Sequence, residues 1–475
     1  MNYTMLMDYY ELTMANGYFN SPYRDTICYF DLFYRQNPND GGYAIFCGLE
    51  TIVEYINNLK FTEEDINYLR SKKDFSEEFL AYLRDFKFTG DIYSFREGNI
   101  IFPNEPIITV RAKAIEAQII ETYLLLLVNH QSLIATIAKR IVMAADGRAV
   151  MEFGSRRAHG ASAAILGSRS AYIAGCVGTA CAISEELYDI PALGTMAHSW
   201  VQMFDSEYDA FVSYCKTYPN NATLLVDTYD VLKSGIPNAI RAFKDVLLPM
   251  GIKKCGIRID SGDITYLTKK ARKMLDDAGL DFCKICISNS LDEYIISDVL
   301  KQGAKIDTFG VGEKLITSKS DPVFGGVYKL AAIEENGVIV PKIKRSENIA
   351  KITNPGYKKV YRIFVDGKMA ADLIALADEK FDTTKPLTIF DERETWKQKT
   401  FENYTMEEQH ILIFKDGKQV YNLPTTKEVK EYANKMFNCL WEEVTRFINP
   451  QKYYVDLSEK LYRLKYKMLG DINHR

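Results

Sequence analysis

Between residues 223 and 309 the apolar positions switch repeatedly between two rhythms, and that switching predicts the architecture. Residues 223–226 (TLLV), 254–259 (KCGIRI), 283–288 (CKICIS) and 306–309 (IDTF) are short, mostly apolar runs, the pattern of strands covered on both faces. Between them Ile236, Ile240, Phe243, Val246 and Leu247 recur at helical spacing, as do Ile264, Leu267, Ala271, Met274, Leu275 and Ala278. Gly279 caps the second stripe, and residues 291–301 form a third helix that ends at Gly303. Strand–helix alternation at this spacing implies parallel strands joined by right-handed crossovers. The predicted fold class is α/β. A closed barrel and an open doubly wound sheet share this local pattern, so periodicity leaves closure open.

The flanking segments read differently. Residues 1–140 predict a mixed α+β domain: a helix over 3–18, an aromatic and β-branched strand over 26–35 (TICYFDLFYR), and helices over 49–59 and after Ser76. Short strands follow over 92–110, broken by Gly98 and the turn PNEP, and then a long helical pattern over 115–142. Residues 141–330 form the α/β catalytic domain, and 331–475 a hairpin-and-helix extension. In that extension, turn signals at 335–337, 366–367 and 416–417 separate strand-like runs. Thr425 and Glu428 make a capping box for a helix with the stripe Val429, Met436, Leu440, Val444 and Phe447, ending near Pro450.

Composition narrows the function classes. With 475 residues, 47% hydrophobic and 26% charged, the chain is long enough for two or three folded domains. A net charge of −4 gives no overall drive toward nucleic acid or an anionic membrane, so any anion site must be built locally. The nine cysteines are scattered, and the single C-x-x-C of Cys283 and Cys286 lies in an apolar run, as strand cysteines rather than a zinc site. The amino terminus lacks the basic-then-apolar pattern of a signal peptide. The most apolar stretch, 119–128, contains Glu121 and is too short to span a bilayer. The expected location is cytoplasmic.

Candidate chemistry clusters where apolar runs break. EFGSRRAHG starts at Glu152, GTMAHSW at Gly194, GIRIDSGDI at Gly256, ISNSLDE at Ile287 and FGVGEKL at Phe309. In a parallel barrel such breaks point into one shared site. Of the five histidines, His130 follows a leucine-rich helix, His410 precedes a strand, His474 is at the chain end and His159 closes the first break. His198 stands in the second, which favours chemistry over a buried structural role.

Arg258 and Asp260 are two apart on a strand and share a side. Asp263 is placed to cap the next helix. A buried Arg–Asp pair gains little stability by itself. A planar fork for a carboxylate substrate, with a carboxylate for ribose hydroxyls or Mg²⁺, fits better. Gly310 and Gly312 free backbone amides that can cradle phosphate, whereas Gly325 and Gly326 read as a turn. Arg156 and Arg157 are evenly balanced between a second anion clamp and solvated charges.

Taken together these motifs resemble the nicotinate phosphoribosyltransferase family over nearly the whole chain. MDYYELTMANGYF resembles the family's Asp-x-Tyr-x-x-Thr-Met opening, and KITNPGYKKVYRIF and DLIALADE its carboxyl-terminal extension. The resemblance implies an irregular α/β barrel with flanking domains and a homodimer with a shared active site. It implies nicotinate and phosphoribosyl pyrophosphate as substrates, nicotinate mononucleotide and pyrophosphate as products, Mg²⁺ as cofactor, and ATP hydrolysis coupled through a transient phosphohistidine. That histidine maps to His198, with Thr195 and Ser199 beside it. Tyr10, next to Asp8, maps to the aromatic that stacks on the pyridine ring from the neighbouring subunit, and Phe153 to the other ring face. Arg156 and Arg258 map to substrate clamps, and Gly312 with the amide of Glu313 to the ribose-phosphate loop. Asp260, Ser288 and Asn289 complete the implied substrate contacts, with Asp260 and Asp263 as metal candidates.

Glu313 departs from the Thr that family members often carry there, and a carboxylate beside phosphate needs Mg²⁺ or Lys314 to offset it. Competing readings are a nicotinamide-using relative, a silent metabolite-binding protein and, more remotely, a quinolinate enzyme.

Overall fold

The computed structural model describes residues 2–471, so His474 lies outside the described residues. The chain forms two compact units. One comprises residues 134–322 with 425–430; the other comprises 1–133, 323–424 and 431–475.

The unit containing residues 134–322 is an irregular α/β barrel. Its six strands lie in the order Gly178–Thr179, Ala149–Glu152, Thr308–Val311, Lys284–Ile287, Cys255–Ile259 and Ala222–Leu225, and every neighbouring pair is parallel. Thr308–Val311, last of the six in the chain, pairs with Ala149–Glu152, the first, which curls the sheet toward a barrel. An isolated parallel bridge from Thr179 to Ala192 extends one edge, and Ala222–Leu225 forms the other.

The strands form where the apolar runs predict because both faces are covered. Leu224, Ile257, Ile259, Ile285, Ile287, Phe309 and Val311 are all 1% exposed or less. The helices Ile264–Asp277 and Glu293–Lys301 begin at Asp263 and Asp292, whose carboxylates accept from the amides of Tyr266 and Ile295. Gly279 and Gly303 follow those helices at positive φ, 76° and 84°, where a Cβ would be strained.

The other unit joins the two ends of the sequence in shared sheets. A seven-stranded sheet combines Ile27–Phe33, Asp91–Ser94 and Ile108–Lys113 with Val327–Glu335, Val338–Pro341, Ile411–Lys415 and Lys418–Gln419. All three turn signals close antiparallel hairpins, and Asp366–Gly367 and Asp416–Gly417 place both residues at positive φ.

Three local expectations need correction. Residues 115–142 form two helices, Ala114–Ile119 and Glu121–Ala144, and His130 lies inside the second rather than after it. The helix Glu63–Lys72, with few apolar residues but a Thr62–Asp65 capping box, went unread. The helix capped by Thr425 and Glu428 ends at Asn438, not near Pro450. There the carbonyls of Asn438 and Leu440 accept from Lys368 Nζ (2.6 and 3.4 Å), and that of Cys439 from the Met369 amide. Val444 continues the apolar period in a separate 3₁₀ turn, Glu442–Thr445.

No helix among the described residues is long and apolar enough to cross a membrane. All nine cysteines are free, and Cys283 and Cys286 are buried at one strand.

Candidate active site

The carboxyl ends of the barrel strands surround a cavity of about 390 Å³ whose lining includes Phe153, Arg156, Thr195, His198, Arg258 and Asp260. Alternation along Cys255–Ile259 sends Ile257 and Ile259 into the core and leaves Arg258 facing the cavity.

Arg258 is held on three sides of its guanidinium. Nε donates to Ser288 Oγ (2.7 Å), Nη1 to Thr195 Oγ1 (2.9 Å) and the Met196 carbonyl (3.3 Å), and Nη2 to Asp260 Oδ1 (3.3 Å). The Ser288 hydroxyl in turn donates to Asp260 Oδ1 at 2.5 Å. The Arg258–Asp260 pair weighed from sequence alone therefore exists, but as part of a network spanning three strand ends. With these bonds in place one of the five guanidinium N–H groups is left over. Arg258 thus presents a fixed positive charge and a single donor, not a free two-pronged fork.

His198 opens the short helix His198–Gln202. Its Nδ1 lies 3.1 Å from Thr228 Oγ1, and its Nε2 lies 4.0 Å from Asp260 Oδ2. Thr228 fixes the ring at Nδ1, and the side chain, 42% exposed, is open to a ligand on its Nε2 side. Asp227 buttresses the same rim from the end of Ala222–Leu225: its Oδ2 accepts from the Asp260 amide (3.1 Å) and the Ser261 hydroxyl (2.6 Å). Its Oδ1 is buried without a hydrogen-bond partner.

Phe153 lies 5.8 Å from the Arg258 guanidinium, ring beneath cation. Glu152 braces the loop, taking the Thr179 hydroxyl on Oε2 (2.5 Å) and the Gly154 amide on Oε1. Burial pushes the Glu152 carboxyl up, and these two bonds oppose that rise. The glycines here are dictated by close approach. A Cβ on Gly310 would stand 2.5 Å from the Phe153 ring, and one on Gly154 would stand 2.7 Å from the Gly312 carbonyl. Gly310→Ala is expected to cost about 1–3 kcal/mol by overpacking and to raise KM for whatever substrate this cavity takes. A urea midpoint and a KM both unchanged from the parent would show that the ring has room to move.

Glu313 is balanced differently from the sequence expectation. Lys314 instead pairs with Asp292 (2.5 Å), while Glu313 pairs with Lys319 (2.8 Å) and lies 3.9 Å from Arg157. The Lys319 hydrogen bond, helped by the charges of Lys319 and Arg157, holds the Glu313 carboxyl below its usual range.

The remaining predicted residues are distributed as follows. Asn289 follows Ser288 at its strand end, Ser199 is exposed one residue beyond His198, and Gly312 precedes the helical turn Glu313–Ile316. Asp263 is engaged in its cap, with Oδ1 accepting from Tyr266 N–H at 2.7 Å. Asp8 and Tyr10 belong to the other unit, before and on the helix Tyr9–Phe19, and both are exposed. His410, in that unit too, is a core histidine: Nε2 lies 2.6 Å from the Pro106 carbonyl, and burial lowers its pKa to about 4. Sequence reading missed Glu152, Asp227, Thr228 and Ser261 as site residues. Asp227 carried a signal, a carboxylate ending an apolar run, and Glu152 and Ser261 lie within the quoted breaks; Thr228 carried none.

A parallel barrel that gathers arginine, carboxylates and imidazole at its carboxyl rim defines an α/β-barrel enzyme. Comparison with known proteins makes this specific. The nicotinate phosphoribosyltransferase (NAPRTase) family profile matches residues 148–368, its N-terminal domain 5–129 and its C-terminal domain 357–465. Nicotinate phosphoribosyltransferase of Bacillus subtilis (strain 168) is 44% identical over 470 residues, covering 98% of this chain and 95% of the relative. The Caenorhabditis elegans enzyme of that name is 32% identical over 521 residues, covering 97% and 92%. The crystal structure of human nicotinic acid phosphoribosyltransferase superposes with a TM-score of 0.84 at 25% identity, over 98% of this chain and all of that one. The chain belongs to the nicotinate phosphoribosyltransferase family, transferases of NAD biosynthesis.

Proposed function

We propose that this enzyme transfers the phosphoribosyl group of phosphoribosyl pyrophosphate to nicotinate, and that ATP hydrolysis is coupled to the transfer through a transient phosphate on His198. One observation carries the reading: Arg258, Asp260 and His198 meet at a single rim with the Phe153 ring beside them. The pyridine nitrogen attacks the ribose anomeric carbon, and the carbon–oxygen bond to pyrophosphate breaks with its electron pair leaving on pyrophosphate. Arg258 supplies positive charge and one N–H for the nicotinate carboxylate. Phe153 offers one stacking face, and Tyr10 of a second subunit supplies the other in a homodimer. The Tyr10 side chain, 43% exposed on its helix, is accessible for that role. Gly312 and the Glu313 amide serve the ribose phosphate.

Asp227 and Asp260 suit Mg²⁺. Both are hard oxygen donors, and Asp227 Oδ1 is buried and unpartnered. Bound there with substrate phosphates, the ion would neutralise charge on departing pyrophosphate. Asp263, engaged as a cap, is the weaker candidate.

Electrostatics favour Nδ1 of His198 as phosphoryl acceptor. A phosphate on Nε2 would face the Asp260 carboxylate, whereas on Nδ1 it displaces only the neutral Thr228 hydroxyl. The γ-phosphorus–oxygen bond of ATP breaks as the nitrogen–phosphorus bond forms, ADP leaves, and the Nε2 proton stays on the ring, on the side that faces Asp260. Water later releases inorganic phosphate and restores the imidazole.

The test measures pyrophosphate and ADP release with nicotinate, phosphoribosyl pyrophosphate and ATP, each omitted in turn, and with nicotinamide in place of nicotinate. Pyrophosphate release should require both substrates and rise with ATP. Equal turnover of nicotinamide, or indifference to ATP, would refute the corresponding half of the proposal.

A further inference from the structure

The unit built from the two ends of the chain contains a second cavity, of about 480 Å³, lined by residues from the segments 35–42, 102–104, 391–393 and 450–456. Most of its charged groups are already engaged. Asp391 Oδ1 accepts the amides of Arg393 (2.8 Å) and Glu394 (2.9 Å), Glu392 pairs with Lys465, and Asp40 accepts from Gln36 (2.9 Å). Three are not. Asp456, on the strand Val455–Leu457, is only 7% exposed and lines the cavity, yet its carboxylate has no hydrogen-bond or ion-pair partner among the described residues. Arg393 and Lys452 line the same cavity as exposed side chains, also without an ion-pair partner among the described residues.

A largely buried carboxylate with no protein donor needs water or a ligand from the cavity to complete it. The stacked rings of Phe102 and Tyr453, with centroids 3.7 Å apart, give the cavity an aromatic wall. The volume falls in the range of small-molecule sites. We propose that this cavity is a second ligand site, for a purine nucleotide: Asp456 receives the N–H groups of the base edge, and Arg393 and Lys452 receive the phosphate. Burial, reinforced by Asp391, raises the Asp456 pKa to about 6, so in a binding assay at pH 8 it is ionised and meets the base edge as an acceptor alone, which asparagine cannot reproduce. The site is independent of the barrel cavity and of the reaction proposed there.

Equilibrium dialysis of the full chain against AMP and against GMP tests this, with D456N and R393A/K452A as variants and adenosine, guanosine and inorganic phosphate as partial probes. At least one nucleotide should bind. D456N and R393A/K452A should each weaken that binding by about tenfold or more, while nicotinate turnover stays at the parent level. Neither nucleotide binding, binding that both variants retain, or phosphate alone binding as tightly as the nucleotide would each overturn the proposal. Both variant positions in R393A/K452A are exposed, and D456N preserves shape, so a circular dichroism melt near the parent's is expected.

Discussion

Arg258→Met is expected to lower kcat/KM for nicotinate by roughly two to three orders of magnitude, the scale of losing one preorganised charge in a catalytic site. Methionine approximates the length of the stem but removes every donor. Ser288, Thr195 and the Met196 carbonyl each lose a hydrogen bond, and Asp260 loses its cation. The damage therefore extends from the substrate carboxylate to the group that faces His198. Arg258→Lys should fall between, because a lysine supplies the charge but cannot reach Ser288, Thr195 and Asp260 at once. Steady-state kinetics on both variants decide the matter, with a thermal melt to exclude unfolding. A Met variant within about threefold of the parent kcat/KM would remove Arg258 from the substrate's surroundings.

His198→Ala should leave a slower enzyme that no longer responds to ATP. ADP release is expected to fall by roughly a thousandfold or more, as when a nucleophile is deleted, while ATP-independent pyrophosphate release persists. The persistence follows from the geometry: the Arg258 network is complete without the imidazole, whose nearest carboxylate oxygen is 4.0 Å away. Incubating parent and variant with ATP labelled in the γ-phosphate, then assaying acid-labile protein phosphate, gives a direct readout. Label that survives in the variant at parental level would place the phosphate on another residue. Thr228→Val offers a finer test, since it keeps the imidazole and removes only the hydroxyl beside Nδ1.

The barrel strands were readable because strands covered on both faces have little room for polar residues, so 255–259 and 284–287 stand out as runs. Arg258, Asp260 and His198 were readable for the complementary reason, as polar residues where such runs break. What escaped was pairing across long separations. Thr228 reaches His198 thirty positions earlier, and Asp227 reaches Asp260 and Ser261 thirty-three and thirty-four later; no local period encodes either contact. Likewise, of the two offsets named for Glu313, Mg²⁺ or Lys314, the chain neighbour Lys314 pairs elsewhere. The helical turn points Lys314 toward Asp292 and leaves Lys319 for Glu313. Apolar period also overran the helix ending at Asn438, because Leu440 and Val444 remain buried after the backbone has left the helix.

The two outer strands of the barrel sheet are Gly178–Thr179, extended by the bridge to Ala192, and Ala222–Leu225. His198 is carried by the chain that crosses between these outer strands, while Arg258 sits in a strand laddered on both sides. Moving the backbone that carries the imidazole breaks no rung of the ladder; moving the backbone of Arg258 would disturb two ladders. Under the proposed mechanism, phosphoryl cargo would fall to the seam that can give, and the anchoring charge to the wall that cannot.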